Sequence, residues 1–190
     1  MEKISDIEAV RKAAIIRPIS AIIERECLAR LSAEVRPYGL IVEIGCLYGG
    51  MTAVLALSNL RANIVAIDDF SWHPDDDKPA SAAILFENMT RVGAHNVLVQ
   101  EGDSRTIGKD WFLPIDLLWI DGGHSYQFVF SDLCCFGSCA EVVACHDYGN
   151  AAWPTIRAAV DDFLHRQEGA FYLDEVVGTV SILRRAHHTK

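Results

Sequence analysis

Two pairs of polar residues whose side chains could perform chemistry stand directly after apolar runs of strand length. Asp121 and His124 follow one such run, and His146 and Asp147 follow another. Because parallel strands end at the same edge of a sheet, we expect the two pairs to lie side by side at that edge. Carboxylate oxygens and imidazole nitrogens bind divalent cations, and a histidine with a pKa near neutrality can accept a proton.

These residue types predict two chemistries at one place. We predict that His124 is a general base and that Asp121 either orients it or binds a metal ion. His146 is a further catalytic candidate. The predicted ligands of Mg²⁺ or another divalent cation are Asp121, Asp147 and His146, and His124 is the alternative third ligand.

The same residues also have structural uses. An aspartate at a strand–helix junction often caps the helix, and a helix beginning near Ser125 would give Asp121 that role. His146 and Asp147 are consecutive on a strand, so we expect one of them to point into packing. For the same reason Cys145, His146 and Asp147 cannot line up as a catalytic triad.

A glycine-containing turn follows an earlier apolar run. In a dinucleotide-binding turn, G-x-G-x-x-G, the middle glycine lets the backbone approach a pyrophosphate, and Leu47 stands at that position here. NAD and FAD are therefore disfavoured, as is a P-loop, because no Gly-Lys-Ser/Thr follows. An acid, Asp68 or Asp69, ends the next apolar run, where a carboxylate suits the hydroxyls of a ribose. The predicted cofactor contacts in the turn are Glu43, Gly45, Cys46, Tyr48 and Gly49.

The order of apolar runs and helical patterns predicts the fold. Runs that are apolar throughout alternate with helical patterns from residue 40 onward, which is typical of a parallel sheet covered on both faces. The last two runs, split by Gly178, predict an antiparallel hairpin. We predict an α/β, doubly wound, Rossmann-like sheet of seven mostly parallel strands. The chain, 1–190, is predicted to be one domain, with N-terminal helices in 1–38 and the core in 39–185.

Composition limits the partners. The 190 residues carry a formal net charge of −9, which disfavours nucleic acid or an anionic membrane as a partner. No signal-peptide pattern or long apolar stretch is present, so we expect a cytoplasmic protein. Six cysteines without a second pair at zinc-finger spacing indicate no structural zinc site. The N-terminal helices are interpreted as packing elements, a homodimer surface or a substrate lid.

Several segments together resemble a known family. VEIGCLYGGMT, VAIDDF, EGDS, IDLLWIDGGHSY and CHDY, spread over about residues 40–165, are similar to class I methyltransferases and more narrowly to the methyltransferase domain 24 group. That group is related to macrocin-type O-methyltransferases and cephalosporin-hydroxylase-like proteins. The resemblance implies that the glycine turn contacts the methionine part of S-adenosylmethionine, Asp68 the ribose, and Asp103 and Ser104 the adenine end. Asp121 is included among the cofactor contacts. Met51 stands where a Ser or Thr is common.

The resulting hypothesis is an S-adenosylmethionine-dependent methyltransferase, acting by O-methylation on a small hydroxylated molecule with possible help from a divalent metal. Two alternatives remain open: a metal-dependent hydrolase or lyase using the Asp–His cluster, and a non-catalytic binding module. Tyr148 and Trp153 are candidates to line an acceptor pocket, and the segment 72–77 with Phe70 is a candidate lid. Fold alone does not choose among these functions.

Overall fold

The computed structural model describes residues 5–16, 20–72 and 79–187. Most of the predicted lid, residues 73–77, lies outside these ranges, as do Ile4, Pro18 and Ile19 of the predicted N-terminal pattern. Within the described ranges, no helix combines the length and the apolar character needed to cross a membrane.

Seven strands form one sheet in the order β3-β2-β1-β4-β5-β7-β6. The strands are β1 Leu40–Ile44, β2 Asn63–Asp68, β3 Val97–Glu101, β4 Ile115–Ile120, β5 Ala140–Cys145, β6 Phe171–Val177 and β7 Val180–Arg185. The first five are parallel to one another, and β7 runs antiparallel to both β5 and β6. The predicted mostly parallel sheet with a C-terminal hairpin is confirmed.

Helices cover both faces of the sheet. They are α1 Asp6–Ala13, α2 Ile22–Glu34, α3 Gly50–Ser58, α4 Ala82–Val92, α5 Ser104–Ile107, α6 Tyr126–Cys135 and α7 Pro154–Arg166. Alternate strand residues enter two separate cores: Ile41 packs with α1 to α4, whereas Val42 and Ile44 pack with α6 and α7. Burial on both faces explains why β1 is apolar at every position but one, the buried Glu43.

The buried face of α2 differs from the predicted one. In the sequence, Ile23, Cys27 and Leu31 recur at a spacing of four, which predicts that they share one packed helical face. In the structure Ile23 is 52% exposed. Glu24 is buried instead, at 4% exposure. A carboxylate was not expected there, because an ionised group is rarely buried unless it is paired.

The strand order reverses direction between β1 and β4, which creates a crevice at their carboxyl ends. The chain passes from β1 to β2 and β3 on one side, and β4 and β5 lie on the other. Ligands of open α/β sheets bind at such a switch point. The glycine turn after β1 and the Asp121 segment after β4 both lie there, as the sequence predicted.

Candidate active site

The glycine turn owes its shape to the close approach of β4. Gly45 has φ of +87°, and a Cβ atom on it would lie 2.3 Å from the backbone oxygen of Asp121. Gly49 begins α3 from the left-handed region, also with φ of +87°. Leu47 takes φ of +46° without being glycine. The turn therefore depends on the close approach of β4, and of its two positive-φ glycines only Gly45 lines the cavity described below.

Asp68, at the end of β2, holds the turn in place. Its Oδ2 accepts a hydrogen bond of 2.7 Å from the backbone N–H of Leu47, and its Oδ1 accepts one of 2.7 Å from that of Phe70. Asp69 is exposed and accepts from the backbone N–H of Ser71. A carboxylate has about four acceptor positions, so Asp68 can hold the loop and still accept from a ribose hydroxyl.

Glu43 lies beneath the turn and is completely buried. Burial raises the pKa of its carboxyl to about 8; the charges of Asp121 and Asp68 add to this rise, and the Thr52 hydroxyl opposes it. Among the described residues, neither carboxyl oxygen makes a hydrogen bond of normal geometry. The residue was predicted to contact the cofactor, but protein encloses it and it does not line the cavity.

Replacing Glu43 should change how stability depends on pH. The folded state holds the carboxyl proton up to about pH 8, whereas the unfolded chain releases it near pH 4.3. As pH rises from about 4.3 to about 8, the wild-type protein should therefore lose about 3 to 5 kcal/mol of stability relative to Glu43→Gln. Below about pH 4.3, the stabilities of the two proteins should depend on pH in the same way. Urea unfolding at several pH values measures this. Exposed Glu26→Gln is the control, and equal pH profiles for wild type and Glu43→Gln would contradict the assignment.

A cavity of about 490 Å³ opens at the crevice. Eight of the ten predicted cofactor contacts line it: Gly45, Cys46, Tyr48, Asp68, Asp69, Asp103, Ser104 and Asp121. Glu43 does not line the cavity because protein encloses it. Gly49 does not line it because it packs against α4, where an added Cβ atom would meet the side chains of Met89 and Leu85. Trp72 and Trp153 also line the cavity; Phe70 and Tyr148, which were candidates, do not.

The segment after β3 is held by side chains that the sequence did not single out. Asp103 caps α5 and forms an ion pair with Arg105, whose guanidinium lies 3.9 Å from the ring centre of Phe128, a cavity residue. The Ser104 hydroxyl donates a hydrogen bond of 2.7 Å to Asp132. Burial raises the pKa of Asp132 to about 7, and the Ser104 hydrogen bond opposes that rise.

The Asp–His cluster forms at the ends of β4 and β5. His124 Nε2 lies 3.0 Å from Asp147 Oδ2, and His146 Nδ1 lies 2.9 Å from Asp121 Oδ1 and 3.3 Å from Asp147 Oδ2. All four line the cavity. One ligand atom each from Asp121, His124 and Asp147 lies within 4.8 Å of the others, a spacing that could hold a metal ion. The third residue of this group is His124, whereas His146 was the predicted third ligand.

Two of the structural alternatives are wrong. Ser125, not Asp121, caps α6, since its hydroxyl accepts from the backbone N–H of Phe128. His146 and Asp147 both face the cavity, because the chain leaves β5 at Cys145 and Asp147 adopts φ of +59°. The turn cancels the alternation that a continued strand would impose.

The electrostatics separate the two histidines. Burial lowers the pKa of His146, but the Asp121 and Asp147 carboxylates outweigh it and raise that pKa to about 11. The ring is then charged at neutral pH and is a poor proton acceptor. Hydrogen bonds from His124 and His146 hold the pKa of Asp147 well below its usual range despite burial. His124 is 36% exposed and its ring centre lies 4.7 Å from that of Trp153. His124 thus fits the predicted general base better than His146.

Comparison with known proteins adds the family. A family described as a methyltransferase domain, methyltransferase domain 24, matches residues 42–148. The chain belongs to this methyltransferase family. The match includes the glycine turn, Asp68, the Asp103 segment and the whole Asp–His cluster, and it confirms the predicted class I, S-adenosylmethionine-dependent methyltransferase over a hydrolase, a lyase or a non-catalytic module. No curated protein sequence matches this methyltransferase.

Solved structures share the methyltransferase's fold at low sequence identity. CalS11, a TDP-rhamnose 3′-O-methyltransferase of calicheamicin biosynthesis, is 20% identical with a TM-score of 0.64, covering 96% of this chain and 87% of that one. The methyltransferase PaMTH1 of Podospora anserina, solved with S-adenosylhomocysteine, is 17% identical with a TM-score of 0.66 over 96% and 88%. The O-methyltransferase NovP is 17% identical with a TM-score of 0.65 over 88% and 81%. These likenesses show the fold.

Proposed function

We propose that this methyltransferase transfers a methyl group from S-adenosylmethionine to a hydroxyl of a small molecule. The observation that carries the proposal is the charge of the cavity. Among the described residues, the cavity lining contains no Lys or Arg. It contains five aspartates, which are Asp68, Asp69, Asp103, Asp121 and Asp147. Such a lining suits a ligand with sulfonium and ammonium groups and disfavours a pyrophosphate. The volume lies within the usual range for small-molecule sites, about 300 to 1,000 Å³.

The chain's own groups can divide the cofactor among them. The turn beginning at Gly45 would face the methionine part, and Asp68 would accept from the ribose hydroxyls while keeping the turn closed. Phe128, beside Asp103, offers an apolar surface at the adenine end. When bound, S-adenosylmethionine supplies a methyl group bonded to a positively charged sulfur. The remaining task of the protein is to align a nucleophile with that methyl group and to receive its proton.

His124 is the proposed proton acceptor. Asp147 lies within hydrogen-bonding distance of its Nε2 and orients the ring, and Trp153 packs beside it at the cavity wall. A general base held by a carboxylate in this way is a recurrent arrangement. O-Methylation is supported by the structural likeness to CalS11 and NovP, both of which are O-methyltransferases.

A divalent cation is the second part of the proposal. Asp121, His124 and Asp147 offer two carboxylates and one imidazole, a donor set that suits a divalent cation. A bound cation would lower the pKa of an acceptor hydroxyl. Asp121 and Asp147 would hold it, and the buried charge of His146 would keep both carboxylates turned inward. The predicted roles of His146 as a catalytic residue and as a metal ligand stay predictions.

Methyl transfer itself tests the proposal. We expect the purified protein to move labelled methyl groups from S-adenosylmethionine to members of a panel of phenols, catechols and sugars. Mg²⁺ should raise the rate and a chelator lower it, and Asp147→Asn should lower it by about 10-fold to 100-fold. Exposed Asp110→Asn is the control. Transfer that a chelator leaves unchanged would contradict the cation; transfer only to nitrogen or carbon would contradict O-methylation.

The partners and location follow as proposals. We propose that the protein acts in the cytoplasm on a small molecule, without nucleic acid or membrane, and that it forms a homodimer through its N-terminal helices. Four exposed isoleucines support the dimer: Ile7, Ile15, Ile22 and Ile23. Large apolar side chains that are left exposed to solvent favour association. Light scattering of the wild type and of Ile22→Lys compares the oligomeric states, and a monomeric wild type would contradict the dimer.

A further inference from the structure

A buried carboxylate on α2 reaches the Asp–His cluster. Glu24 is 4% exposed, and its Oε1 accepts hydrogen bonds from the backbone N–H of Thr179, at 2.9 Å, and from its hydroxyl, at 2.7 Å. Its Oε2 accepts from the backbone N–H of Ala21, at 3.0 Å, and lies 3.2 Å from Nε2 of His146. These donors hold the pKa of Glu24 below its ordinary value although burial opposes this. The residue is therefore a buried anion with its partners in place.

His146 connects this carboxylate to the cavity. Its Nε2 faces Glu24, and its Nδ1 faces Asp121 and Asp147. The ring therefore lies between carboxylates on two opposite sides, although among the described residues Nδ1 makes no hydrogen bond of normal geometry. The indole of Trp119, with its ring centre 5.6 Å away, packs against the same imidazole. Two carboxylates on one side and a third on the other determine how the ring is turned.

The β6–β7 turn is shaped around Glu24. Gly178 has φ of +61°, and a Cβ atom on it would lie 2.8 Å from Oε1 of Glu24. A side chain at this position would push the carboxylate away from Thr179 and from the ring. Thr179 of this turn, Glu24 of α2 and His146 at the cavity thus form one continuous polar connection.

We propose that Glu24 is a positioning residue of the methyltransferase site. From α2 it fixes the imidazole of His146, which in turn holds the carboxylates of Asp121 and Asp147 where an acceptor or a cation would meet them. The effect on turnover rests on the proposed function, but the contact with the ring does not. Glu24 acts through His146 and does not line the cavity itself.

Glu24→Gln separates the contact with His146 from the contacts with Thr179 in the β6–β7 turn. The amide oxygen can still accept from Thr179, whereas the NH₂ group would face two donors, the N–H of Ala21 and Nε2–H of His146. The control is Glu26→Gln, an exposed glutamate on the same helix. Histidine-selective ¹⁵N labelling at constant pH follows the ring, and the His146→Asn variant identifies its signals.

We expect Glu24→Gln to shift the Nδ1 signal of His146 as well as the Nε2 signal, because the whole ring turns, and Glu26→Gln to shift neither. S-adenosylhomocysteine affinity should be unchanged while turnover falls about 10-fold to 100-fold. An Nδ1 signal that keeps its wild-type position in folded Glu24→Gln would overturn the proposal. If that variant does not fold, Thr179→Val, which removes one donor to Glu24, should give a smaller shift in the same direction; no shift would overturn it. Failure of the wild type to bind S-adenosylhomocysteine would refute the proposed function and leave the ring measurement valid.

Discussion

Gly45→Ala is expected to destabilise the protein by about 3 kcal/mol or more, a large fraction of the roughly 5 to 15 kcal/mol that stabilises an ordinary protein. Two costs add. A left-handed backbone costs an alanine about 1 to 2 kcal/mol, and the new methyl group would lie 2.3 Å from the backbone oxygen of Asp121. Backbone cannot move aside as a flexible side chain does. Either β1 and β4 separate at the crevice, or the turn abandons its shape.

Gly93→Ala is the matched control for this prediction. Gly93 also has a positive φ, +78°, but an added Cβ atom has no neighbour within 4 Å. It should cost only the backbone strain, about 1 kcal/mol. Urea unfolding of the two variants isolates the packing cost at Gly45. Equal losses of stability would show that β4 does not press on the turn.

Asp68→Ala is expected to weaken S-adenosylhomocysteine binding by about 30-fold to 100-fold, or about 2 to 3 kcal/mol. The substitution removes the acceptor for the amides of Leu47 and Phe70, so the turn loses its connection to β2. It also removes the carboxylate proposed to accept from the ribose. Both losses act on the bound state, and calorimetric titration of the folded variant measures their sum.

Exposed Asp110→Ala serves as the control for Asp68→Ala, because it removes the same charge away from the cavity. It should bind as the wild type does. Asp69→Ala should have a smaller effect than Asp68→Ala, since Asp69 is exposed and its backbone partner is Ser71. An unchanged affinity in Asp68→Ala would contradict the proposed role of Asp68 and would assign the ribose contact to another residue.

The sheet could be predicted because its strands are buried on both faces. Val42 and Ile44 pack on one side of β1 and Ile41 on the other, so the run is apolar without alternation. The switch point then followed from strand order, and the glycine turn and Asp121 from their places at strand ends. The hairpin followed from Gly178 between two apolar runs.

The interior of the site was harder to predict, because side-chain directions at strand ends depend on the turns that follow. The positive φ of Asp147 brings it beside His146, against the alternation of a strand. Glu43, two residues before Gly45, faces the interior instead of the ligand. Residue types and their spacing do not determine the side-chain direction of either Asp147 or Glu43.

Contacts between distant parts of the chain were missed altogether. Glu24 meets His146 and Thr179 across separations of 122 and 155 residues. The available signal was the position of Glu24, three and four residues before the apolar Cys27 and Leu28 on the same helix. The period of four assigned the buried position to Ile23 instead. Burial of Glu24 is stable only because its partners come from β5 and the β6–β7 turn.

Calorimetric titration of the wild-type protein with S-adenosylhomocysteine tests the central claim most directly. The cavity between the glycine turn, Asp68 and the Asp103 segment predicts one ligand per chain and a heat of binding that Asp68→Ala greatly reduces. ATP and NAD, which carry phosphates into a cavity lined by aspartates, should give no heat under the same conditions. At about millimolar S-adenosylhomocysteine, even a binding free energy of about −4.1 kcal/mol would be detected. Absence of heat under these conditions would contradict the proposed cofactor site.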